Sequence, residues 1–266
     1  MATISENLQA LNEAKAAIKT AIENKGVDMT DVPFTQYAEK IAQIETGGGD
    51  DSEPNMLEAM INATKNISSW FEEITDDDVD VIETILSSVN FKNIDTYSAA
   101  RAFRNNAKIT RLPLFETSSC SSFLYFVYGC TKLTTMPAYD VRNSTSFANA
   151  FSYCYALGEV WIKNIKADLQ VGSGTTYGHL LTLESLIHLV KELRDAGSAR
   201  ILTVSTVSLE KLTNVYVRTI EVTDEMRAED DLIDEKLPFE VCESTDEGAM
   251  LITDYVGLKN WSIVGA

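Results

Sequence analysis

Apolar residues near the start of the chain are spaced as on one side of a helix. Successive members of this stripe are 4, 3, 7 and 4 residues apart, and they are Ile4, Leu8, Leu11, Ile18 and Ile22. The helix is expected to end at Gly26, because glycine adopts the left-handed cap conformation without steric cost. A second helix is expected at about 34–45, so residues 1–45 are predicted to form a helical hairpin.

A glycine-rich, acidic stretch separates this hairpin from the rest of the chain. Residues 46–55 read Thr-Gly-Gly-Gly-Asp-Asp-Ser-Glu-Pro-Asn, which predicts a flexible linker. A hairpin this short is not expected to fold well alone. It either packs on the second domain of its own chain or serves as an assembly and docking device. In the second case the partner-binding residues are Leu8, Leu11, Ile18 and Ile22.

From residue 99 onward the apolar pattern repeats every 24 residues. The recurring sets are Phe103, Val127 and Phe151; Asn106, Cys130 and Cys154; Ile109, Leu133 and Leu157; Leu112, Met136 and Val160; and Ala100, Leu124 and Ala148. A period of 24 with apolar residues three apart predicts leucine-rich repeats over residues 99–171. Each repeat then contributes one short strand and one less regular return segment.

A stack of about three repeats leaves an apolar edge at each end, which the flanking sequence is expected to cover. Residues 56–98 are predicted to form a helical N-terminal cap, with Thr75 as the N-cap of a helix whose first turn carries solvated acids. Residues 172–266 are predicted to form a C-terminal cap. It contains a helix that begins at Thr182 and ends at Gly197, a strand at 200–205, and an acidic insertion at about 220–248.

The outer face of the predicted strands offers candidate contact residues. Leu112, Met136 and Val160 are expected to point into the core, so neighbours on the strand should point outward. Exposed aromatic side chains on a rigid sheet are typical contact residues. The candidate partner-binding residues of this face are Arg111, Phe115, Tyr139 and Trp161. Alternatively, the N- or C-terminal segments of the chain itself cover Phe115 and Trp161.

Charge and composition exclude several classes of function. The 266 residues include 22 Lys or Arg and 40 Asp or Glu, a net charge of −18. The net charge is −13 over residues 1–90, +4 over 91–200 and −9 over 201–266. Such a balance disfavours binding to nucleic acids and to anionic lipids. No apolar run approaches the roughly 20 residues that cross a bilayer, and no signal-peptide pattern opens the chain, so cytosolic synthesis without membrane insertion is expected.

Residues that carry chemistry are sparse. The only histidines are His179 and His188, and no nucleophile motif, phosphate loop or dinucleotide fingerprint is present. The four cysteines include no Cys-x-x-Cys pair and are expected to be free thiols. The acids at 76–80 open a helix and do not converge on one ion. We therefore predict a non-enzymatic protein with no catalytic residues, no cofactor and no metal site.

Residues 17–41 resemble a module of bacteriophage virion proteins of the tail, baseplate and fibre type. The resemblance rests on Ile-Lys-x-Ala-Ile at 18–22, Lys-Gly-Val at 25–27, a proline turn at 33 and Phe-x-x-Tyr-Ala-x-x-Ile at 34–41. It implies a virion protein that assembles in the host cytoplasm, contacts other virion proteins and forms homo-oligomers. The segment Lys259-Asn260-Trp261 resembles a Lys-Gly-Trp that begins the last strand in such phage proteins, with asparagine in place of glycine.

The repeats resemble the bacterial surface-antigen class of leucine-rich repeats, often called BspA-like. That class typically reads Phe-x-x-Cys-x-x-Leu-x-x-Ile-Pro; the second repeat follows it closely, whereas Asn106 replaces the cysteine of the first and Trp161 the proline of the third. The implied fold is α/β: a short leucine-rich-repeat solenoid with helical caps, preceded by the helical hairpin. The implied function is a structural appendage of a phage tail, baseplate, collar or capsid surface that acts through protein–protein contacts, with a host-surface ligand as a further partner. The alternative is a bacterial cell-surface leucine-rich-repeat adhesin, which would need an export signal or a wall anchor.

Overall fold

A computed structural model of the chain describes residues 16, 18–20, 22–23, 26–30, 32–33, 61, 65–91, 94–172 and 181–266. Within these residues short strands and helices are mixed. The strands are β1 (Tyr97–Ser98), β2 (Cys120–Ser122), β3 (Thr135–Met136), β4 (Glu159–Val160), β5 (Leu169–Val171), β6 (Arg200–Val204), β7 (Tyr216–Thr219), β8 (Phe239–Cys242), β9 (Met250–Leu251) and β10 (Trp261–Gly265). The helices are α1 (Asp76–Ser87), α2 (Leu183–Glu192), α3 (Thr206–Leu212), α4 (Asp224–Glu229), α5 (Ile233–Lys236) and α6 (Ile252–Tyr255), followed by a 3-10 helix at Val256–Lys259.

The strands pair in small open sheets. β1 pairs with β2 and β3 pairs with β4, both in parallel. β6 lies between β5 and β10 in a parallel sheet, and β7 lies between β8 and β9 in an antiparallel sheet. The prediction of a mixed α/β fold is therefore confirmed.

Three segments that follow the 24-residue period share one pattern of backbone hydrogen bonds. We call them the return segments, and they comprise residues 99–106, 123–130 and 147–154. In the first, alternate N–H groups donate to carbonyls 23 residues further on, as from Ala99 to Ser122 and from Phe103 to Phe126, both at 3.0 Å. The N–H groups between them mostly donate three residues back, as from Ala102 to Ala99 at 3.1 Å. The backbone donors are thereby satisfied although the segment forms neither a helix nor a strand.

Left-handed backbone conformations recur at two positions of the return segments. One position holds Arg101, Tyr125 and Asn149, with φ of 63°, 55° and 54°, and the other holds Asn105, Gly129 and Tyr153, with φ of 62°, 76° and 64°. Positive φ is uncommon outside glycine, so its recurrence every 24 residues indicates that the repeats share one backbone path. At Gly129 only glycine fits without adjustment, because a Cβ atom there would lie 2.7 Å from Asn105 Oδ1.

The burial predicted for Leu112, Met136 and Val160 is confirmed, and three of the other four recurring sets are buried as well. The sets that begin at Phe103, Asn106, Ile109 and Leu112 are buried throughout, with exposures of 0–6%. The set that begins at Ala100 is half-buried or exposed. Two further sets, which sequence analysis missed, are also buried: Ala99, Phe123 and Phe147, and Ala102, Phe126 and Ala150. The apolar core therefore runs continuously through the repeats.

One core position needs a hydrogen-bond donor rather than a particular residue. Cys130 Sγ lies 3.0 Å from the carbonyl oxygen of Phe103, and Cys154 Sγ lies 3.1 Å from that of Val127. In the first repeat Asn106 Nδ2 donates to the carbonyls of Phe71 and Ile74, at 3.0 and 2.8 Å. Each of these side chains thus donates to the backbone of the segment that precedes it. Asparagine is therefore a functional equivalent of the cysteine that the repeat pattern expects.

Helix α1 begins after Thr75, as predicted. The backbone N–H and the hydroxyl of Thr75 both donate to Asp78 Oδ2 at 2.8 Å, which satisfies the start of the helix. Its apolar side chains Val79, Ile82 and Leu86 are buried. The helix thereby adds its apolar face to the core that continues into the first repeat.

The acids of α1 are not all solvated, contrary to our expectation. Asp76 accepts hydrogen bonds from the backbone N–H and the hydroxyl of Thr110, at 2.8 and 2.7 Å. Glu83 accepts one from the backbone N–H of Leu114 at 2.8 Å. In the next repeat the equivalent N–H, that of Thr134, donates to the carbonyl of Thr110 at 2.9 Å. The Asp76 carboxylate therefore supplies the acceptor that a preceding repeat would otherwise provide.

Helix α2 begins as predicted but ends early. The hydroxyl of its N-cap, Thr182, accepts from the N–H of Ser185 at 3.1 Å. The helix ends at Glu192 instead of continuing to Gly197, because the chain then pairs with Ile165: the Ile165 N–H donates to Glu192 and the Arg194 N–H donates to Ile165, both at 2.8 Å. This pairing joins the helix to the end of the repeat region.

The last strand begins after an asparagine in a left-handed conformation. Asn260 has φ of 63°, and its Nδ2 donates to Asp195 Oδ1 at 2.7 Å. Asparagine tolerates this left-handed conformation better than most residues other than glycine, which explains how it can occupy this position. β10 then pairs in parallel with β6, with Trp261 opposite Arg200.

Candidate binding surface

Two of the aromatic residues expected on the outer strand face are buried. Phe115 is 7% exposed and Tyr139 is 0% exposed, so the prediction that they point outward is wrong. The ring centroid of Phe115 lies 6.0 Å from that of Phe91 and 5.1 Å from that of Tyr139. The Tyr139 hydroxyl donates to the carbonyl of Pro113. For Phe115 the alternative interpretation is the better one, since a residue from the preceding segment packs on it.

The error arises because the strands are too short for the assumed alternation. β3 has two residues, and soon after it the Tyr139 N–H donates to the carbonyl of Pro137 at 2.8 Å, which closes a three-residue turn. Side chains alternate between the two faces only while the backbone stays extended. The turn therefore sends Tyr139 into the core.

Arg111 and Trp161 lie closer to solvent, and each has a partner on a flanking helix. Arg111 is exposed, and its Nη1 forms a 2.7 Å ion pair with Asp80 of α1. Trp161 is half-buried, and its ring lies edge-on to the imidazole of His188 on α2, with 5.1 Å between centroids. Their role in binding another molecule stays a prediction.

The predicted assembly helix falls only partly within the described residues. Leu8 and Leu11 lie outside them. Ile22 is 3% exposed and forms a small apolar cluster with Met29, and the half-buried Ile18 packs on this cluster. Among the described residues this cluster is distinct from the main core. The helix ends as predicted at Gly26, whose φ is 83°. The part that these isoleucines play in partner binding stays a prediction.

A row of tyrosine side chains crosses the return segments, in a place that sequence analysis did not single out. We call this region the tyrosine–arginine surface; it comprises Arg101, Arg104, Tyr125, Tyr128, Tyr153 and Tyr155. Ring centroids are 5.3 Å apart for Tyr125 and Tyr128, 5.0 Å for Tyr128 and Tyr153, and 6.3 Å for Tyr153 and Tyr155. All three pairs meet edge to face, a favoured arrangement of aromatic rings. The row is therefore continuous between neighbouring repeats.

Two guanidinium groups lie over this row. Arg101 Cζ is 5.7 Å from the ring centroid of Tyr125, and Arg104 Cζ is 5.6 Å from the centroids of both Tyr125 and Tyr128. These distances are within the range of cation–π attraction. The pKa of Tyr128 is raised, first by desolvation and then by the adjacent Tyr153. The surface is thus a set of mutually supporting side chains on a hydrogen-bonded backbone.

The arginines of this surface have no carboxylate partner among the described residues. The chain has eight arginines, and five of them form ion pairs among the described residues: Arg111, Arg142, Arg194, Arg218 and Arg227. Neither Arg101 nor Arg104 forms an ion pair within that part of the chain. The return segments themselves contain no Asp or Glu. Within the described part of the chain, this surface therefore carries positive charge that no carboxylate pairs with.

Two sequence signals could have identified this surface. Arg101 aligns with Tyr125 and Arg104 aligns with Tyr128 at the 24-residue period, so large side chains recur at the same positions. The absence of acids from these segments is also visible in the sequence. The direction of the side chains was not predictable, because left-handed residues interrupt any simple strand or helix periodicity.

A buried lysine lies between α2 and the end of the chain. Lys259 is 0% exposed, and its Nζ donates to the carbonyl of Val190 at 3.1 Å. Burial lowers the pKa of Lys259 to about 7, although Glu192 opposes this shift. The Nζ atom also lies 5.0 Å from the ring centroid of Tyr255. An amine enclosed to this degree has no exposed surface on which a substrate could bind.

All four cysteines have free thiols. Cys120, Cys130 and Cys154 are buried and Cys242 is half-buried. Burial raises the pKa of Cys120 and of Cys130 to about 12, which keeps both protonated at neutral pH. A protonated thiol is a poor nucleophile.

Comparison with known proteins finds no matching family model, no matching curated protein and no matching solved structure. Within the described part of the chain, no group of three or more His, Cys, Asp or Glu side chains is placed to hold a metal ion. None of the described helices combines the length and the apolar character that crossing a membrane requires.

Proposed function

We propose that the chain is a non-enzymatic structural component of a bacteriophage virion that acts through protein–protein contacts. The observation that supports a binding role is the tyrosine–arginine surface, since Tyr and Arg are the residue types that dominate the energetics of protein interfaces. The assignment to a virion appendage, of a tail, baseplate, collar or capsid surface, rests on the resemblance of residues 17–41 to phage modules.

The proposal includes a short leucine-rich-repeat solenoid over residues 99–171. It is supported by hydrogen bonds that link positions 23 residues apart, by left-handed residues that recur every 24 residues, and by the buried recurring sets. In this fold α1 covers the first repeat, which agrees with the acceptor that Asp76 supplies to Thr110. α2 covers the last repeat, where Ser185 Oγ accepts from the Val160 N–H at 2.8 Å.

The two ends of the chain then have different tasks. Residues 1–45 attach the protein to other virion proteins and form homo-oligomers through a stripe that includes Leu8, Leu11, Ile18 and Ile22. Residues 46–55 are a linker, and the repeats are displayed beyond it. Among the described residues, Ile22 and Met29 form an apolar cluster apart from the main one, which supports this proposed division.

Mass spectrometry of purified phage particles tests the assignment. The full-length chain should be present at a stoichiometric level relative to the major virion proteins. A matched chain that lacks residues 1–45 should be produced as a folded protein yet be missing from the particles. Recovery of the full-length chain in a bacterial cell-surface fraction and not in particles would contradict the proposal and favour the adhesin.

A further inference from the structure

The charge and the ring contacts of the tyrosine–arginine surface indicate which kind of partner fits it. We propose that it binds a protein segment that carries carboxylate side chains, an inference that rests on the proposed role in protein–protein contacts. The first argument is charge. The Cζ atoms of Arg101 and Arg104 lie 5.7 and 5.6 Å from the Tyr125 ring centroid, in a segment without Asp or Glu. Five other arginines pair with carboxylates of the described residues.

Among the described residues these two guanidinium groups have no carboxylate partner, although the sequence contains 40 acidic residues. A local excess of positive charge on a chain of net charge −18 therefore favours an anionic group supplied by another molecule. Arginine is suited to this task, because its planar guanidinium can donate two hydrogen bonds to one carboxylate.

The second argument concerns the faces of the rings. Arg101 and Arg104 lie over Tyr125, and Arg104 also lies over Tyr128, so these faces are already partly covered. The tyrosines also meet one another edge to face. A sugar ring stacks best on an open, flat aromatic face, which this arrangement does not favour. Ring edges, hydroxyls and guanidinium groups suit a peptide with carboxylates and apolar side chains instead.

The third argument is rigidity. The backbone that carries Tyr125 and Tyr128 is fixed on one side by hydrogen bonds to the first return segment and on the other by hydrogen bonds to the third, such as Tyr125 to Ala148 at 3.1 Å and Asn105 to Tyr128 at 2.6 Å. A surface held in place before binding loses little conformational entropy when a partner docks. The row can therefore act as a fixed template for an acidic segment.

Fluorescence anisotropy with the full-length chain tests this inference. The probes are a fluorescein-labelled random copolymer of glutamate and tyrosine, and fluorescein-labelled polygalacturonate at the same carboxylate concentration, both in about 50 mM salt, where ionic contacts are weakly screened. The peptide copolymer should bind, and the double variant Arg101→Ala and Arg104→Ala should raise its Kd at least ten-fold. Tyr128→Ala should also weaken binding.

Arg227→Ala is the matched control, because Arg227 is an exposed arginine that pairs with Asp224 and Asp234 in the acidic part of the chain. Arg227→Ala should bind the peptide copolymer with the same Kd as the wild type. Circular dichroism should show that every variant keeps the wild-type unfolding midpoint. Undetectable binding of the copolymer, or a Kd that the double variant leaves unchanged, would overturn the inference. Equal or tighter binding of polygalacturonate would assign the surface to an acidic glycan instead. None of these results depends on whether the chain is found in phage particles.

Discussion

The buried amine of Lys259 should make the stability of this protein depend on pH in a predictable direction. Its pKa is lowered from 10.5 to about 7 by burial, so between these values the unfolded chain binds one proton more than the folded chain at this position. Stability then rises with pH, because the extra proton that the unfolded chain binds becomes less available as the proton concentration falls. Replacement with methionine, Lys259→Met, removes the titrating group and keeps most of the apolar volume.

The size of the effect follows from the two pKa values. Each unit of pH within the window contributes about 1.4 kcal/mol to the free energy of unfolding. Because the folded-state pKa lies near 7, the gain begins there and should reach roughly 2 kcal/mol between pH 7 and pH 9. Below pH 6 both states carry the proton and the contribution becomes constant.

Buried cysteines change the stability of the protein with pH in the opposite direction. Burial raises the pKa of Cys120 and Cys130 to about 12, so in alkaline solution the unfolded chain loses thiol protons that the folded chain retains. That effect lowers stability as pH rises. It is common to the wild type and Lys259→Met, and the difference between their unfolding free energies therefore isolates the lysine.

Urea unfolding followed by far-ultraviolet circular dichroism, at constant ionic strength and at pH 6, 7, 8 and 9, measures this difference. The free energy of the wild type minus that of Lys259→Met should rise above pH 7 by the amount given. Lys163→Met, at an exposed lysine, should retain the wild-type dependence. Parallel curves for the wild type and Lys259→Met would refute the reasoning and indicate that the amine is solvated or remains charged in the folded protein.

Two further substitutions test the repeat backbone and its first edge. Gly129→Ala should lower the free energy of unfolding by roughly 1 kcal/mol for the left-handed conformation, and by a further amount for the contact with Asn105. Gly248→Ala, with φ of 77° and open space around it, should show only the first loss. Equal urea midpoints for the two variants would contradict the close contact at Gly129. Asp76→Ala should cost roughly 1–3 kcal/mol because it leaves the Thr110 N–H without its acceptor, whereas Asp77→Ala, at an exposed residue, should have little effect. Burial raises the pKa of Asp76, but the hydrogen bonds from Thr110 lower it by more. The stabilisation by Asp76 should therefore be lost as the pH falls below 3.8. If Asp76→Ala lowered the free energy of unfolding by the same amount down to about pH 2, the assignment would be contradicted.

The repeat register was predictable from sequence because it depends on burial alone. Residues such as Phe103 and Ile109 recur with their counterparts at an interval that the chain keeps constant, and apolar residues that recur together are buried together. The start of α1 at Thr75 and of α2 at Thr182 was predictable for a similar reason. A threonine N-cap is a local signal that needs no knowledge of the tertiary structure.

The direction of Phe115 and Tyr139 was not predictable in the same way. Alternation along a strand requires several extended residues, and the length of so short a strand depends on the turn that follows it. The role of Asp76 was also hidden, because an acid in a first helical turn has a sufficient local explanation in the helix dipole. Only the tertiary structure shows that Thr110 lies within hydrogen-bonding distance of it.

The backbone hydrogen bonds of the return segments explain why side chains of the tyrosine–arginine surface can be replaced without loss of the fold. At the inward positions of the return segments the repeats need apolar groups or a buried donor, as at Cys130. At one outward position the chain places Arg101, Tyr125 and Asn149 in turn on nearly the same left-handed conformation. Three unlike side chains at equivalent sites indicate that the backbone hydrogen bonds, and not the outward side chains, hold the segments together. Substitution of the exposed Arg101 should therefore change what the surface binds while leaving the unfolding free energy within about 0.5 kcal/mol, as for ordinary surface positions.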